Sequence, residues 1–383
     1  MSSIGPTLPP RRRLATQALL IALGLLLFGP APSAQPLPPH AQNHPRLFFD
    51  TEGAADLMAA ILADPHRAEV WQDSQDSVAD VLSWTPEELL SSSFGYRYIE
   101  DLALLSSLEG EPLADDHARA VIEALLWQIE EYDTEPDDFL SVLGVALRLH
   151  NLAWGWDLAC WAASEPERRL IVDEMLLYMT ALSTEWEFTR YQHNPYVSNK
   201  GISLGAMLWL AALALEEDLP AAPEIALARG AADDYLTKGL GDLLTEGGCY
   251  REGLGYFVWA MRTLLPSWAA AARLEEEQPW DDDRLQASLE AMAYQMMDEG
   301  GGLYLNRNDH NSYNYIVSRH HSLLEFATSH GADPDFARWL LRRSSGDLGH
   351  SWGHLDDPVA TLLWHREGPE AGPEALPPSR HFE

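Results

Sequence analysis

The sequence predicts an all-α protein: an incomplete double-layered α/α toroid of helical hairpins. Three observations predict it. Beyond residue 44, apolar residues recur close to the helical period almost everywhere. No stretch of comparable length alternates with period 2, which leaves strands only as short hairpins such as Gly302–Asn306. Some predicted helices are apolar nearly all round, as in Ile202–Leu215, whereas others carry one charged face, as in Asp115–Glu131. That split suits an inner and an outer layer. No sequence repeat of fixed period is visible, which argues against an open solenoid.

The elements follow in order. Arg11, Arg12 and Arg13 precede an uncharged apolar run from Leu14 to Phe28 and then small residues near Ala31 and Ala34. These are the parts of a secretory signal peptide, expected over residues 1–34, and the run is shorter than the roughly 20 residues that span a bilayer. The protein is therefore expected to be exported, to the periplasm or beyond the cell. A proline-rich spacer, 35–43, leads to HPRLFFD (His44 to Asp50), where order begins, and the toroid domain is expected over 44–368. Helices are predicted over Glu52–Ala63, Arg67–Ser83, Arg97–Leu108, Asp115–Tyr132, Leu140–Ala163 and Glu165–Trp186. They continue over Asn199–Glu216, Ala222–Glu246, Tyr256–Glu275, Asp281–Glu299, Ser312–Ser329 and Asp335–Ser344. Glu165-Pro166 opens one helix, Leu219-Pro220 closes another and Gly300-Gly301-Gly302 ends a third. The apolar stretch Ile202 to Leu215 is bounded by Asn199, Lys200, Glu216 and Glu217, so it reads as a buried helix and not a membrane span.

A formal net charge of -34 argues against nucleic acid as a partner. An acidic substrate would then need a locally basic cleft on an acidic body. Two cysteines, Cys160 and Cys249, make no disulfide framework; a single bridge and two buried thiols are both compatible with the sequence.

Polar and aromatic residues concentrate where helices begin. RYQHNPYVSNKGISLGA gathers Arg190, Tyr191, His193, Asn194, Tyr196, Asn199 and Lys200 ahead of the most apolar helix. Helix capping by Ser198 or Asn199 accounts for one of these residues, not seven. TEGGCYREGLGYFVWAM supplies Tyr250, Arg251, Glu252 and Tyr256 after a glycine break. YLNRNDHNSYNY strings together Asn306, Arg307, Asn308, Asp309, His310 and Asn311. GHSWGHLDD holds His350 and His354, but Gly349 and Gly353 oppose a helix and no third ligand is evident, so no metal is expected. Phosphate loops, HExxH, CxxC pairs and a nucleophile-elbow serine are absent from the sequence. Carboxylates such as Glu246, Glu252 and Asp309 keep a glycoside hydrolase with a carboxylate pair in play. A non-catalytic carbohydrate-binding protein and a uronate epimerase are compatible with the same residues.

HPRLFFD, LAWGWDLACWAASEPERRLIVDEM, HNPYVSNKGISLGAMLWLAALAL and EGGCYREGLGYFVWAM occur in this order from His44 onward. Together they resemble the heparinase II/III and alginate-lyase group of polysaccharide lyases. The resemblance implies an α/α toroid followed by an antiparallel β-sandwich, with the cleft between them. Residues 369–383, ending LPPSRHFE, resemble the linker into that sandwich, which is expected to be absent from this chain. The implied partner is an acidic, uronate-containing polysaccharide or oligosaccharide, with no cofactor and no metal.

Such lyases act by β-elimination. A base removes a barely acidic proton beside a carboxylate, a donor neutralises that carboxylate, and an acid protonates the leaving oxygen. The resemblance assigns His193 or Asn194 to neutralisation, although the local order departs from the commoner Asn-Asn-Trp-Asn and leaves Gln192, His193 and Asn194 open. Tyr256 matches the tyrosine of the EGxGY motif and is implied as general acid or base, with Tyr250 next. Tyrosine serves there if nearby cations lower its pKa from about 10. Arg190, Lys200, Arg251 and Arg307 would supply positive charge, with Tyr196, Asn199, Glu252 and His310 as further substrate contacts. A histidine and an arginine from the sandwich complete the family's site, so this chain alone is expected to bind substrate and hardly turn it over. Of the 14 tryptophans, Trp154, Trp156 and Trp209 sit at helical spacing and are expected in the core.

Overall fold

Regular structure begins at a chain of side-chain caps. Asp50 accepts from the Gly53 amide at 2.7 Å and starts α1 (Thr51–Ala63). Asp64 ends α1, caps the His66 and Arg67 amides, and with Pro65 behind it opens α2 (Pro65–Val81). Thr85 and Glu88 form a reciprocal capping box, with each side chain taking the other residue's amide at 3.2 and 2.8 Å. It nucleates α3 (Pro86–Ser91), a six-residue helix absent from the sequence prediction because it is too short to show a period.

The computed structural model describes residues 44–91, 95–110, 112–131, 139–184, 199–251, 254–275, 280, 282–295, 321–344 and 358–370. All lie in the compact unit Pro39–Glu383; the other unit, Met1–Pro38, and with it the expected signal peptide, lies outside the described residues. Beyond α3 come α4 (Gly95–Leu108), α5 (Leu113–Glu131), α6 (Phe139–Leu158), α7 (Glu165–Thr184), α8 (Asn199–Leu215), α9 (Pro223–Leu243) and α10 (Leu254–Leu274). The last four are α11 (Asp282–Gln295), α12 (His321–His330), α13 (Pro334–Ser344) and α14 (Pro358–Trp364). Every regular element among the described residues is helical, apart from one isolated bridge between Leu244 and Tyr250. The predicted helix Leu140–Ala163 ends at Leu158, and a 3-10 turn follows over Cys160–Ala162. The heptapeptide α14 also escaped prediction, again for want of length. No helix among the described residues is long and apolar enough to cross a membrane.

The helices sort into neighbours in a definite order. Each of α4, α6, α8, α10, α12 and α14 packs on the next, and α14 packs back on α4 and on α2. The flanking helices α5, α7, α9 and α13 pack onto this series from outside the sequence of pairings, α9 onto α8 and α13 onto α12. Side-chain bonds set the directions. Glu100 meets His150 and Ser107 meets the Leu158 carbonyl, so α4 and α6 run parallel. Thr263 donates to Ser203 at 3.0 Å and Ser267 to the Ala206 carbonyl at 2.7 Å, so α8 and α10 run parallel. Glu325–Thr361 and Thr328–Trp364 do the same for α12 and α14. In contrast, α9 is antiparallel to α8. A Cβ on Gly205 would stand 2.9 Å from Leu236 Cγ, whereas Gly239, further along α9, abuts Ile202, earlier on α8. Glycine at 205 is what lets these two backbones approach.

The core follows from this layering. Nearly every residue of α8 is buried, because it has neighbours on all sides: α6, α7, α9 and α10. Trp154 and Trp156 are buried as expected. Trp209 is not: it is half-buried and lines a cavity of about 580 Å³ between α8, α9, α10 and α11, together with Trp268, Trp280 and Arg284. Cys160 is buried and Cys249 half-buried, and the two thiols are unpaired with each other.

Candidate active site

The parallel course of α8 and α10 brings their N-terminal ends, into which two of the sequence-predicted segments run, to one side. From the Ser203–Thr263 pair, Asn199 lies four residues toward the N-terminal ends and Tyr256 seven. At 1.5 Å per residue the two are offset by only about 4.5 Å along the helix axes. Asn199 is buried at the start of α8, and Lys200 and Tyr256 are half-buried. Parallel helices with adjacent N-termini also add their dipoles, giving a positive end on an acidic protein.

The segment between α9 and α10 forms a small hairpin. Leu244 bridges Tyr250, the Thr245 amide donates to the Cys249 carbonyl at 3.0 Å, and the Arg251 amide donates to the Leu243 carbonyl at 2.9 Å. Gly248 at its tip has φ +81°, and a Cβ there would stand 2.1 Å from the Ala287 carbonyl carbon of α11. Only glycine satisfies both the left-handed backbone and that contact. α9 ends at Leu243, three residues short of the predicted Glu246 and ahead of the glycines, and Gly248 instead docks the hairpin on α11 and so sets where α10 begins. Tyr250 is buried with its ring 5.4 Å from that of Phe257, and Arg251 is exposed. Arg190, His193, Asn194, Tyr196, Glu252, Arg307 and His310 lie outside the described residues, as do Gly302–Asn306, His350 and His354.

Beneath this end lies a buried charge cluster that sequence reasoning missed. Glu100 Oε1 is 2.6 Å from His150 Nε2, and Arg262 donates to Glu100 Oε2 at 3.0 Å. A carboxylate facing Nε2 requires that nitrogen to carry the proton. The cluster joins α4, α6 and α10 at a level six residues, or about 1.7 turns, below Tyr256. Its members are 50 and 162 residues apart, so no local spacing could have revealed it.

HPRLFFD occupies the opposite end. His44 bridges Asp157 and Asp218 at 2.8 Å each, and Trp156 donates to the same Asp218 oxygen at 2.9 Å. The Arg46 and Leu47 amides donate to Asp157, and the Arg46 guanidinium donates to the Leu213 carbonyl near the end of α8. Burial pulls the His44 pKa down, but the hydrogen bonds and charges of Asp157 and Asp218 outweigh it and raise it to about 9. Phe48 stacks on Trp154 at 4.5 Å. The motif is therefore a staple holding the C-terminal ends of α6 and α8, away from Asn199 and Tyr256. Neither a known protein-family model nor a curated protein matches the sequence.

Proposed function

We propose that this chain is the helical part of an exported polysaccharide lyase that cleaves a uronate-containing polysaccharide by β-elimination, on an α/α toroid. One observation carries the reading: the N-terminal ends of α8 and α10 stand side by side, with Asn199 and Tyr256 nearly level. The segment holding His193 and Asn194 runs directly into the first, and the EGLGY segment into the second. The other two polar segments run into α12 and α14, which are parallel to each other. The cyclic order of neighbours from α4 to α14 and back supports the toroid.

In this reading the substrate carboxylate is neutralised by His193 or Asn194, which stabilises the charge that develops when the neighbouring carbon loses its proton. Tyr256 takes that proton or returns one to the leaving oxygen. Arg190, Lys200, Arg251 and Arg307, with the helix dipoles, make a local positive field for an anionic chain. Tyr196, Glu252 and His310 are the further substrate contacts of this reading, whereas Asn199 and Tyr250 are buried and support the site from behind. The Glu100–His150–Arg262 cluster holds α10 in register below Tyr256.

The test is a survey of the full-length protein on heparin, chondroitin, hyaluronan and alginate. Lyase action creates an unsaturated uronate that absorbs in the ultraviolet. Reducing ends released without that absorbance would replace this reading with hydrolysis by a carboxylate pair. Binding without any turnover would replace it with a carbohydrate-binding role.

A further inference from the structure

A second group of chemically able side chains lies where α2, α12 and the chain after α14 meet. His66 Nε2 is 3.8 Å from Glu325 Oε1, and His365 Nδ1 is 2.6 Å from Glu325 Oε2. The two imidazoles meet edge to face with centroids 5.0 Å apart. One ligand atom from each of the three residues lies within 4.8 Å of the others. The Glu325 side chain is 1% exposed, that of His365 10% and that of His66 49%, so the cluster is walled on one side and open to solvent on the other.

We propose that His66, Glu325 and His365 form a divalent transition-metal site, with Zn²⁺ the best-fitting ion. Two imidazoles and one carboxylate with an open fourth position are a donor set that zinc favours. Bonds of about 2.0–2.1 Å put tetrahedral ligand atoms roughly 3.3 Å apart. The three ligand atoms already lie within 4.8 Å of one another, so shifts of roughly 1.5 Å or less bring them to that spacing, and half-exposed His66 has room to move.

The surroundings argue for the same assignment. Thr361 donates to Glu325 Oε1 at 3.1 Å and orients the carboxylate. Asp64 spends Oδ1 on the His66 and Arg67 amides, while its Oδ2 faces His365 Nε2 at 3.7 Å. A carboxylate behind the far nitrogen of a ligating histidine is the usual outer-shell arrangement. Arg67 lies close enough to interact with Asp64 and Glu325, and its guanidinium donates to the Leu362 carbonyl. Because His66 and His365 come from opposite ends of the described chain, the ion would tie α2 to α12 and α14, and its binding would add to folding stability.

The experiment uses the full chain without a histidine tag, stripped by chelator and titrated with Zn²⁺ in a calorimeter, with Co²⁺ as a spectroscopic stand-in. The expected result is one ion per chain at micromolar concentration or below, a Tm raised by several degrees, and visible Co²⁺ absorption of a four- or five-coordinate site. His66→Ala should weaken Zn²⁺ binding by about 100-fold and remove that absorption, while the metal-free variant melts as the metal-free parent does. Thr361→Val keeps all three ligands and should weaken binding about tenfold. Absence of stoichiometric binding would overturn the proposal, leaving a histidine–glutamate ion pair. So would binding that His66→Ala leaves within a few-fold of the parent, since the ion would then sit elsewhere.

Discussion

The His44 imidazole donates to Asp157 at 2.8 Å while its other nitrogen faces Asp218 at the same distance, so one buried cation bridges two buried carboxylates from different elements. With a pKa raised from 6.5 to about 9, the stabilisation is complete below about pH 6.5 and is lost as pH climbs through about 9. A shift of that size corresponds to something on the order of 3 kcal/mol. Urea unfolding of the parent and His44→Gln should therefore show the largest stability gap near pH 6 and a much smaller one at pH 10. A gap that does not depend on pH would contradict the bridging cation.

Gly248→Ala should cost about 2 kcal/mol or more, because the new Cβ meets the α11 backbone and the φ of +81° disfavours any side chain. Denaturant midpoints with unchanged m-values would check this. Catalytic activity, where assayed, should fall too, since the hairpin sets the start of α10.

Glu100→Gln should destabilise the protein by about 3–5 kcal/mol, since it leaves Arg262 and His150 facing a neutral partner in the interior. The double variant Glu100→Gln, Arg262→Met should recover part of that loss. A thermal melt of the two variants and the parent distinguishes a coupled pair from independent contacts.

Tyr256→Phe removes one hydroxyl from a half-buried position and should leave the fold unchanged. Under the proposed chemistry it lowers kcat on the responsive polysaccharide by at least about 100-fold with little change in KM, since general acid–base catalysis contributes that much. Parent-like turnover in this variant would remove Tyr256 from the reaction.

Binding of an anionic oligosaccharide should weaken steeply with salt. The protein carries a net charge of -34, so attraction depends on a local field from Arg190, Lys200, Arg251, Arg307 and the helix N-termini. Titrations between about 0.02 and about 0.5 M NaCl would read the slope. Affinity that is flat or rises with salt would argue for a different ligand face.

The sequence by itself determined the helical class and most helix positions, because burial on one face imposes a period that survives in a single chain. The prediction Asn199–Glu216 matches α8 to one residue at its end, and Arg97–Leu108 differs from α4 only at its start. It was silent on α3 and α14, whose six and seven residues are too few to display a period, although Thr85 and Glu88 carried a capping signature. Tertiary structure alone decided which residues meet. His44 with Asp157 and Asp218, Glu100 with Arg262, and His66 with His365 are joined across 113, 174, 162 and about 300 residues by helix packing. Hydrophobic periodicity specifies which face of a helix is buried, but says nothing of which other helix buries it. That choice turned HPRLFFD into a staple at one end and put Asn199 and Tyr256 at nearly the same level at the other.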